Sequence, residues 1–332
     1  VIAARIVSRA PPPEARPIVP DPLVSVIIPA FNAERFLPEA LISVHAQTFQ
    51  DWEAIVSDDG STDATLRVAR QFTENDSRIL VVENPPARHP GPTRNAAIAR
   101  ARGKYLAFLD ADDLWEPKKL EVQLEAIGKL ERPGLCCSLA TDFSDAPGPP
   151  VRGTHPNPPP NGRERQFAQT LLFSSQACTS SWMIERGFAE EIGPFTADPL
   201  LAGYEDWDYL LRALHRRPFV FIPERLVRYR VHAASITDSR ANRWERRFEI
   251  YKQVEGRGEM PRHLRRPAYS SAWLVRAESE LTAGQAGWRR SFLRALALHP
   301  SNIRRWPALM ALALPRAAMQ KAYDGLKRMA GA

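Results

Sequence analysis

The feature that most constrains this chain is an alternation near its start: short β-branched apolar runs separated by stretches of helical length. Residues 23–28, Leu-Val-Ser-Val-Ile-Ile, form such a run, stopped by Pro29. A near-continuous apolar strand of this kind suits a position buried on both sheet faces. The pattern then predicts helix over 34–47, strand over 52–57, helix over 63–72, strand over 78–82, helix over 93–101 and strand over 104–109. Strands and helices in this order predict an α/β fold, a doubly wound and mostly parallel sheet with helices on both faces.

Further along, helices are expected over 117–129 and 205–216, with shorter strands over 180–184, 219–222 and 226–231. Residues 1–22, with Pro11, Pro12, Pro13, Pro17, Pro20 and Pro22, read as a flexible lead-in outside the fold. Residues 145–162 hold seven prolines and three glycines and are expected to form a long surface loop beside an acceptor. The organisation expected is therefore a lead-in (1–22), a catalytic domain (23–239, donor half 23–115 and acceptor half 116–239) and a basic helical region (240–332). In the last of these, Trp288, Phe292, Ala295 and Leu296 fall on one helical stripe.

Charge separates the two parts. Residues 240–332 carry 19 Lys/Arg against 7 Asp/Glu, so the remainder is net acidic although the whole chain is +7. Cys136, Cys137 and Cys178 have neither the number nor the spacing of a disulfide framework or zinc site and are expected to be buried thiols. No apolar run approaches the ~18 residues that would cross a bilayer, and residues 1–9 lack the long apolar stretch of a secretory signal. Cytoplasmic residence is the resulting expectation.

Polar clusters follow two of the expected strands, where open α/β sheets bind ligands. Asp110-Ala111-Asp112-Asp113 follows 104–109, and bunched carboxylates are relieved by a hard cation, Mg²⁺ or Mn²⁺, that also binds diphosphate oxygens. Helix capping is the competing account of Asp112 and Asp113. Asp58-Asp59-Gly60-Ser61-Thr62-Asp63 follows 52–57. Ser61, Thr62 and Asp63 suit a turn and cap, while Asp59 is placed to accept a hydrogen bond from a base N–H. A third cluster, Gly203-Tyr204-Glu205-Asp206-Trp207-Asp208, offers carboxylates at a helix start, where one can act as general base.

Taken in order, Val26-Ile27-Ile28-Pro29-Ala30-Phe31-Asn32, the Asp58 to Asp63 cluster, Arg94-Asn95, Asp110-Ala111-Asp112-Asp113 and Glu205-Asp206-Trp207 resemble the family 2 glycosyltransferases of GT-A fold over residues 23–235. The resemblance implies an inverting transfer of a sugar from a nucleotide-diphosphate sugar, UDP-sugar favoured, to an acceptor hydroxyl. It places Pro29, Ala30, Phe31 and Asn32 at the nucleoside, Asp59 at the base edge and Arg94 facing the nucleotide. Asp110, Ala111 and Asp112 would contact ribose and metal-diphosphate, with Asp112, Asp113 and His232 around Mn²⁺ or Mg²⁺. Asp206 would be the base, with Glu205 beside it. His232 lies in Arg228-Tyr229-Arg230-Val231-His232, followed by Ser235-Ile236-Thr237, a segment that in relatives closes over the donor side. The sequence lacks the Gln-x-x-Arg-Trp motif of processive synthases, which implies single additions.

Alternatives are a sugar nucleotidyltransferase and a non-catalytic nucleotide-sugar-binding relative. The first would need a glycine-rich phosphate loop after the first strand, where Pro29-Ala30-Phe31-Asn32 stands. The second is opposed by the intact Asp59, Asp110, Asp112 and Asp206. No nucleic-acid-binding motif accompanies the basic region. Its tryptophans Trp244, Trp273, Trp288 and Trp306 would suit an anionic membrane face, where a lipid-linked or other glycan acceptor resides.

Overall fold

The structure, a computed structural model, describes residues 21–87, 89–145, 154–155, 162–173, 178–232 and 243–300. Most of the expected lead-in (1–22) and surface loop (145–162), together with Ser235-Ile236-Thr237, Trp306 and the rest of 301–332, lie outside the described residues. In chain order the elements are β1 (Val24–Ala30), α1 (Leu37–His45), β2 (Trp52–Asp58), α2 (Thr65–Asn75), β3 (Ile79–Glu83), α3 (Pro90–Ile98), β4 (Tyr105–Phe108), β5 (Leu114–Trp115) and α4 (Lys119–Gly128). They continue with β6 (Cys136–Phe143), β7 (Thr154–His155), α5 (Arg163–Phe173), β8 (Trp182–Glu185), α6 (Arg186–Ile192), α7 (Glu205–Arg216), β9 (Val220–Arg230), α8 (Arg243–Gly256), α9 (Arg262–Thr282) and α10 (Trp288–Leu298).

The strands form one sheet in the order β3-β2-β1-β4-β8-β6-β9-β5, with β7 added beside β6. Strands β3, β2, β1 and β4 are mutually parallel, and β8 joins β4 antiparallel, so the second half of the sheet is mixed. Every residue of β2 is buried, and β1 is buried except for Pro29. One apolar cluster, including Val26, Ile28, Val56 and Leu41, lies on one face, and a second, including Ile27, Ile55, Phe108 and Trp182, lies on the other. This two-sided burial explains why β1 reads as an unbroken apolar run.

Strand β1 has β2 on one side and β4 on the other, so the order of connection reverses there and opens a crevice at the strands' carboxyl ends. Residues 29–32, 58–63 and 110–113 all leave the sheet at this end.

Two expected strands, over 219–222 and 226–231, are one strand. Its pairing with β6 shifts register around Ser138 to Ala140, opposite the exposed Pro223-Glu224-Arg225. A proline cannot donate to the ladder and settles at such a bulge. Helix α3 begins at Pro90, before the expected start at 93, because His89 caps it and proline suits a first helical turn. Cys136 and Cys137 are buried in β6, and Cys178 is a partly buried free thiol.

The C-terminal helices share a core with the rest of the chain. Ile250, Tyr251 and Val254 of α8 and Leu264, Ala268 and Ala272 of α9 pack with Phe167, Leu171, Leu201, Trp207, Leu211 and Leu214. Trp288 and Phe292 of α10 are buried against Ala277 of α9, as the expected stripe requires. Among the described residues no helix is long and apolar enough to cross a membrane.

Candidate active site

The loops after β1 and β2 are stapled together. Asn32, in the left-handed region at φ +48°, accepts from the Thr62 N–H at 2.8 Å and donates its own N–H to Ser61 Oγ at 2.9 Å. The Ala33 N–H donates to Thr65 Oγ1 at 2.7 Å, and the Ala64 N–H to Glu34 Oε2 at 2.7 Å. Asp58 accepts from the backbone N–H groups of Gly60 and Ser61, fixing the turn in which Gly60 adopts φ +72°. The expected cap is present in altered form: α2 starts at Thr65, whose N–H donates to Asp63 Oδ1 at 2.9 Å.

Asp59 is buried, and its two oxygens accept from the backbone N–H groups of Ala87 (2.7 Å) and His89 (3.2 Å). It therefore draws the entry to α3 against the end of β2, and contact with a base edge would use its remaining lone pairs. Pro29 and Ala30 are largely covered, whereas Phe31 is 46% exposed with its ring at the mouth of the crevice. A flat aromatic surface left in water there is free to stack on a planar ligand.

The centre of the site is Arg94. Its buried guanidinium donates from Nη1 to Glu205 Oε1 and from Nη2 to Asp110 Oδ1, both at 2.7 Å. The nearby carboxylates hold its pKa above the usual arginine value despite burial. Among the described residues its Nε has no hydrogen-bond partner, a donor left over in the middle of the cluster. One side chain thus joins the end of β4 to the start of α7.

The paired acids of α7 have different surroundings. Glu205 is buried and also accepts from the Gly203 N–H at 2.7 Å, so it is committed to holding Arg94 and the helix start. Asp206 is partly exposed and, among the described residues, accepts from the Trp207 N–H at 2.7 Å. Burial, and then the charge of Glu205, pushes the Asp206 carboxyl up to about 7 against the pull of Arg94. A carboxylate tuned close to neutrality is suited to take a proton in that range.

At the other end of the crevice Asp112 Oδ2 lies 2.9 Å from His232 Nε2, and both side chains are partly exposed (32% and 21%). The His232 ring packs on Phe36 at 4.7 Å between centroids. Asp113 turns inward: Ser180 Oγ donates to Oδ2 at 2.6 Å and the Arg230 N–H to Oδ1 at 2.9 Å. Burial, and then the charges of Asp112 and Asp110, raise its carboxyl well above the ordinary range. Asp110 is also raised, by burial first and Asp112 next, with Arg94 opposing. Ala111 is buried between them.

Among the described residues no group of three or more metal-ligating side chains occurs. Magnesium-type ions nevertheless use one or two carboxylates together with substrate phosphates and water. Asp112 and His232, in direct hydrogen-bond contact at 2.9 Å, would offer such an ion one carboxylate oxygen and one imidazole nitrogen, a donor set that fits Mn²⁺ or Mg²⁺ completed by phosphate and water. The crowding that raises Asp110 and Asp113 is what a cation would relieve. Asp113, expected in the metal set, has both oxygens engaged with protein donors, which leaves Asp112 and His232 facing the crevice.

Sequence reasoning missed several supports of this site. Arg230 donates to the Asp112 carbonyl at 2.8 Å and to Glu39 Oε2 at 2.8 Å, with Asp145 on its other arm, and so clamps β9, α1 and the 110–113 turn together. Ser180 donates to Asp113 and accepts from the Asp110 N–H at 3.0 Å. Arg230 ends β9 and Ser180 lies in the short 3₁₀ turn before β8, both far away in sequence, and no local pattern marks their partners.

Comparison with known proteins identifies the assembly. The family model described as glycosyl transferase family 2 matches residues 25–193, about half of the chain. The chain belongs to glycosyl transferase family 2. It is 45% identical over 123 residues to Bacillus subtilis TuaG, a protein named for teichuronic acid biosynthesis; the match covers 37% of this chain and 47% of that one. It is 41% identical over 109 residues to Escherichia coli WfgD, named a UDP-Glc:α-D-GlcNAc-diphosphoundecaprenol β-1,3-glucosyltransferase, covering 33% of this chain and 42% of that one. The chain thus spans under half the length of these curated relatives. Staphylococcus aureus TarS 1–349 in complex with UDP-GlcNAc superposes with a TM-score of 0.61 at 18% identity, covering 91% of this chain and 87% of TarS 1–349. This last likeness establishes a shared GT-A fold for the family 2 chain.

Proposed function

We propose that this chain is an inverting glycosyltransferase that moves a sugar from a nucleotide-diphosphate sugar onto an acceptor hydroxyl in the synthesis of a surface glycan. The observation that carries this reading is the Arg94 bridge between Asp110 and Glu205, which fixes the donor-side and base-side carboxylates in one crevice and leaves Asp206 outside the bridge. Membership of the family and the UDP-GlcNAc bound by TarS favour a UDP-sugar donor.

In this reading Phe31 stacks on the base, with Pro29, Ala30, Asn32 and Asp59 shaping its pocket. Asp110, Ala111 and Asp112 line the ribose and diphosphate path. Asp112 and His232 hold Mn²⁺ or Mg²⁺, with Asp113 bracing them from behind. When bound, the cation supplies positive charge to the departing diphosphate. Arg94 adds a fixed positive charge in the same crevice and orients Asp110. Asp206 removes the acceptor proton, while Glu205 positions Arg94 and the start of α7. Attack from the side opposite the leaving nucleoside diphosphate inverts the anomeric carbon.

WfgD is named for an acceptor sugar on a diphosphate lipid. A lipid-linked or growing glycan at the inner face of a membrane, reached by a cytoplasmic or peripherally bound enzyme, is the corresponding proposal here. The catalytic unit is assigned to 23–239, with the helices α8 and α9 of the basic region 240–332 packed on it.

A thermal-shift panel of UDP, GDP, dTDP and CDP, with and without Mn²⁺, tests the donor site, because a ligand that binds only the native state raises Tm. The expected result is a metal-dependent shift with UDP that disappears in Asp112→Ala. No shift with any nucleotide would sink the reading.

A further inference from the structure

Helix α8, together with Arg257 just after it, is bound to the segment that carries Asp206. Gln253 Nε2 donates to Asp198 Oδ2 at 3.0 Å, and Arg257 Nη1 donates to Asp208 Oδ1 at 3.0 Å. The Arg247 guanidinium lies 4.8 Å from the centroid of Trp207 and donates to the Leu172 carbonyl at 2.9 Å. Tyr251 packs edge-on against the same indole. The residues immediately before and after Glu205-Asp206 are therefore Tyr204 and Trp207, and α8 touches both.

Because Arg247 is pinned inward, its neighbour Arg246 projects about 100° further round the helix. It lands on Tyr204, guanidinium to ring centroid 5.5 Å, and both side chains are partly exposed. Among the described residues Arg246 pairs with no carboxylate, whereas Arg247 beside it is tied to the Leu172 carbonyl and Arg257, just past α8, to Asp208. A guanidinium that contacts an aromatic ring still has N–H groups to donate. Those groups match phosphate oxygens two at a time.

We propose that Arg246, held on Tyr204, is an acceptor-binding residue, and that the acceptor is a sugar carried on a phosphate or diphosphate ester recognised by this guanidinium. The inference rests on the assignment of Asp206 as base, since Tyr204 and Asp206 flank Glu205 at the start of α7. It makes α8 a wall of the acceptor subsite, so that the helical region helps select the substrate as well as packing on the catalytic domain.

Calorimetric titration of the full chain saturated with UDP and Mn²⁺ tests it. The probes are N-acetylglucosamine 1-phosphate, the decyl diphosphate ester of the same sugar, and methyl N-acetylglucosaminide. The expected order is binding of one or both phosphate esters and weak binding of the neutral glycoside. Arg246→Gln should weaken the esters about tenfold or more, the loss of one charge-assisted contact, and Arg246→Lys should weaken them less. UDP affinity should be unchanged in both variants. Arg266→Gln, which removes an exposed α9 charge, serves as the charge-matched control and should bind like the parent. Preference for the decyl ester over the simple phosphate would identify a lipid-linked acceptor, and equal binding a soluble one. The proposal is overturned if UDP binds but no phosphate ester does, if the neutral glycoside binds as tightly, or if Arg246→Gln and Arg266→Gln behave alike. Failure of UDP itself to bind would instead strike at the donor site.

Discussion

At the residue scale, Glu205 and Asp206 are adjacent in sequence and differ in role because of what each touches. Glu205 spends its oxygens on Arg94 and the Gly203 N–H, while Asp206 stands outside that bridge and has its carboxyl pushed up to about 7 by burial and by Glu205. Asp206→Asn is expected to lower kcat by about 10²–10⁴, the usual worth of a general base, with UDP affinity retained. In the parent, kcat/KM should rise with pH through about 7 as Asp206 loses its proton, and steady-state rates of the Asn variant should lose that rise. Stability runs the other way. A folded-state pKa above the ordinary aspartate value of 3.8 means that Asp206 favours folding only while protonated, so this contribution is lost as pH rises from about 3.8 through about 7. Asp206→Asn should therefore melt higher than the parent above pH about 7 and converge with it in acid, as read by Tm across that range. Glu205→Gln should lose both activity and Tm, because it leaves the buried Arg94 short of a partner.

At the scale of elements, legibility followed burial pattern. Strands β1 and β4 were readable because they are covered and their sequences are mostly apolar, and β2 because its covered middle, Ala54-Ile55-Val56, is apolar. Strand β6 escaped because it mixes Cys136 and Cys137 with Ser138, Thr141 and Asp142, and β9 was split by the polar bulge at 223–225. The short α6, Arg186–Ile192, follows β8 with no side-chain cap, so no cap residue announces it. The site's acids were legible one by one, since each leaves the end of a strand or opens a helix. Their joining through Arg94, and the support from Ser180 and Arg230, depend on a fold that brings distant residues together. Helix α4 carries an unforeseen feature: Lys119 is fully buried, donates to Gln123 Oε1 at 2.7 Å and lies over Trp115 at 3.9 Å. Burial lowers its pKa to about 7. The unfolded chain binds this proton more tightly between about 7 and 10.5, so the cost of burying Lys119 is greatest below that window and fades as pH rises through it. Lys119→Met should therefore raise Tm more at about pH 6 than at about pH 9, measured by parallel thermal melts.

At the scale of the whole molecule, the helices α8 and α9 complete the core beneath α7. Tyr251 is fully buried, donates to the Leu171 carbonyl at 3.0 Å and packs against Trp207, the residue after Asp206. The cluster around it draws on α5, α7, α8 and α9 together, so neither half can open without exposing the other's apolar surface. Unfolding of 23–300 should accordingly be one cooperative transition, with calorimetric and van't Hoff enthalpies equal, and two resolved transitions would count against this coupling. Tyr251→Ala removes a large side chain and its hydrogen bonds from that shared core and should cost about 3–5 kcal/mol by denaturant unfolding, in the range of large-to-small aromatic replacements. It should also lower kcat in the fraction that remains folded, because α8 holds Tyr204 and Trp207 on either side of the Glu205-Asp206 pair. Tyr251→Phe keeps the ring and loses only the hydroxyl contacts, so it should restore most of the stability. If kcat recovers with it, the catalytic defect arises from displacement of α8.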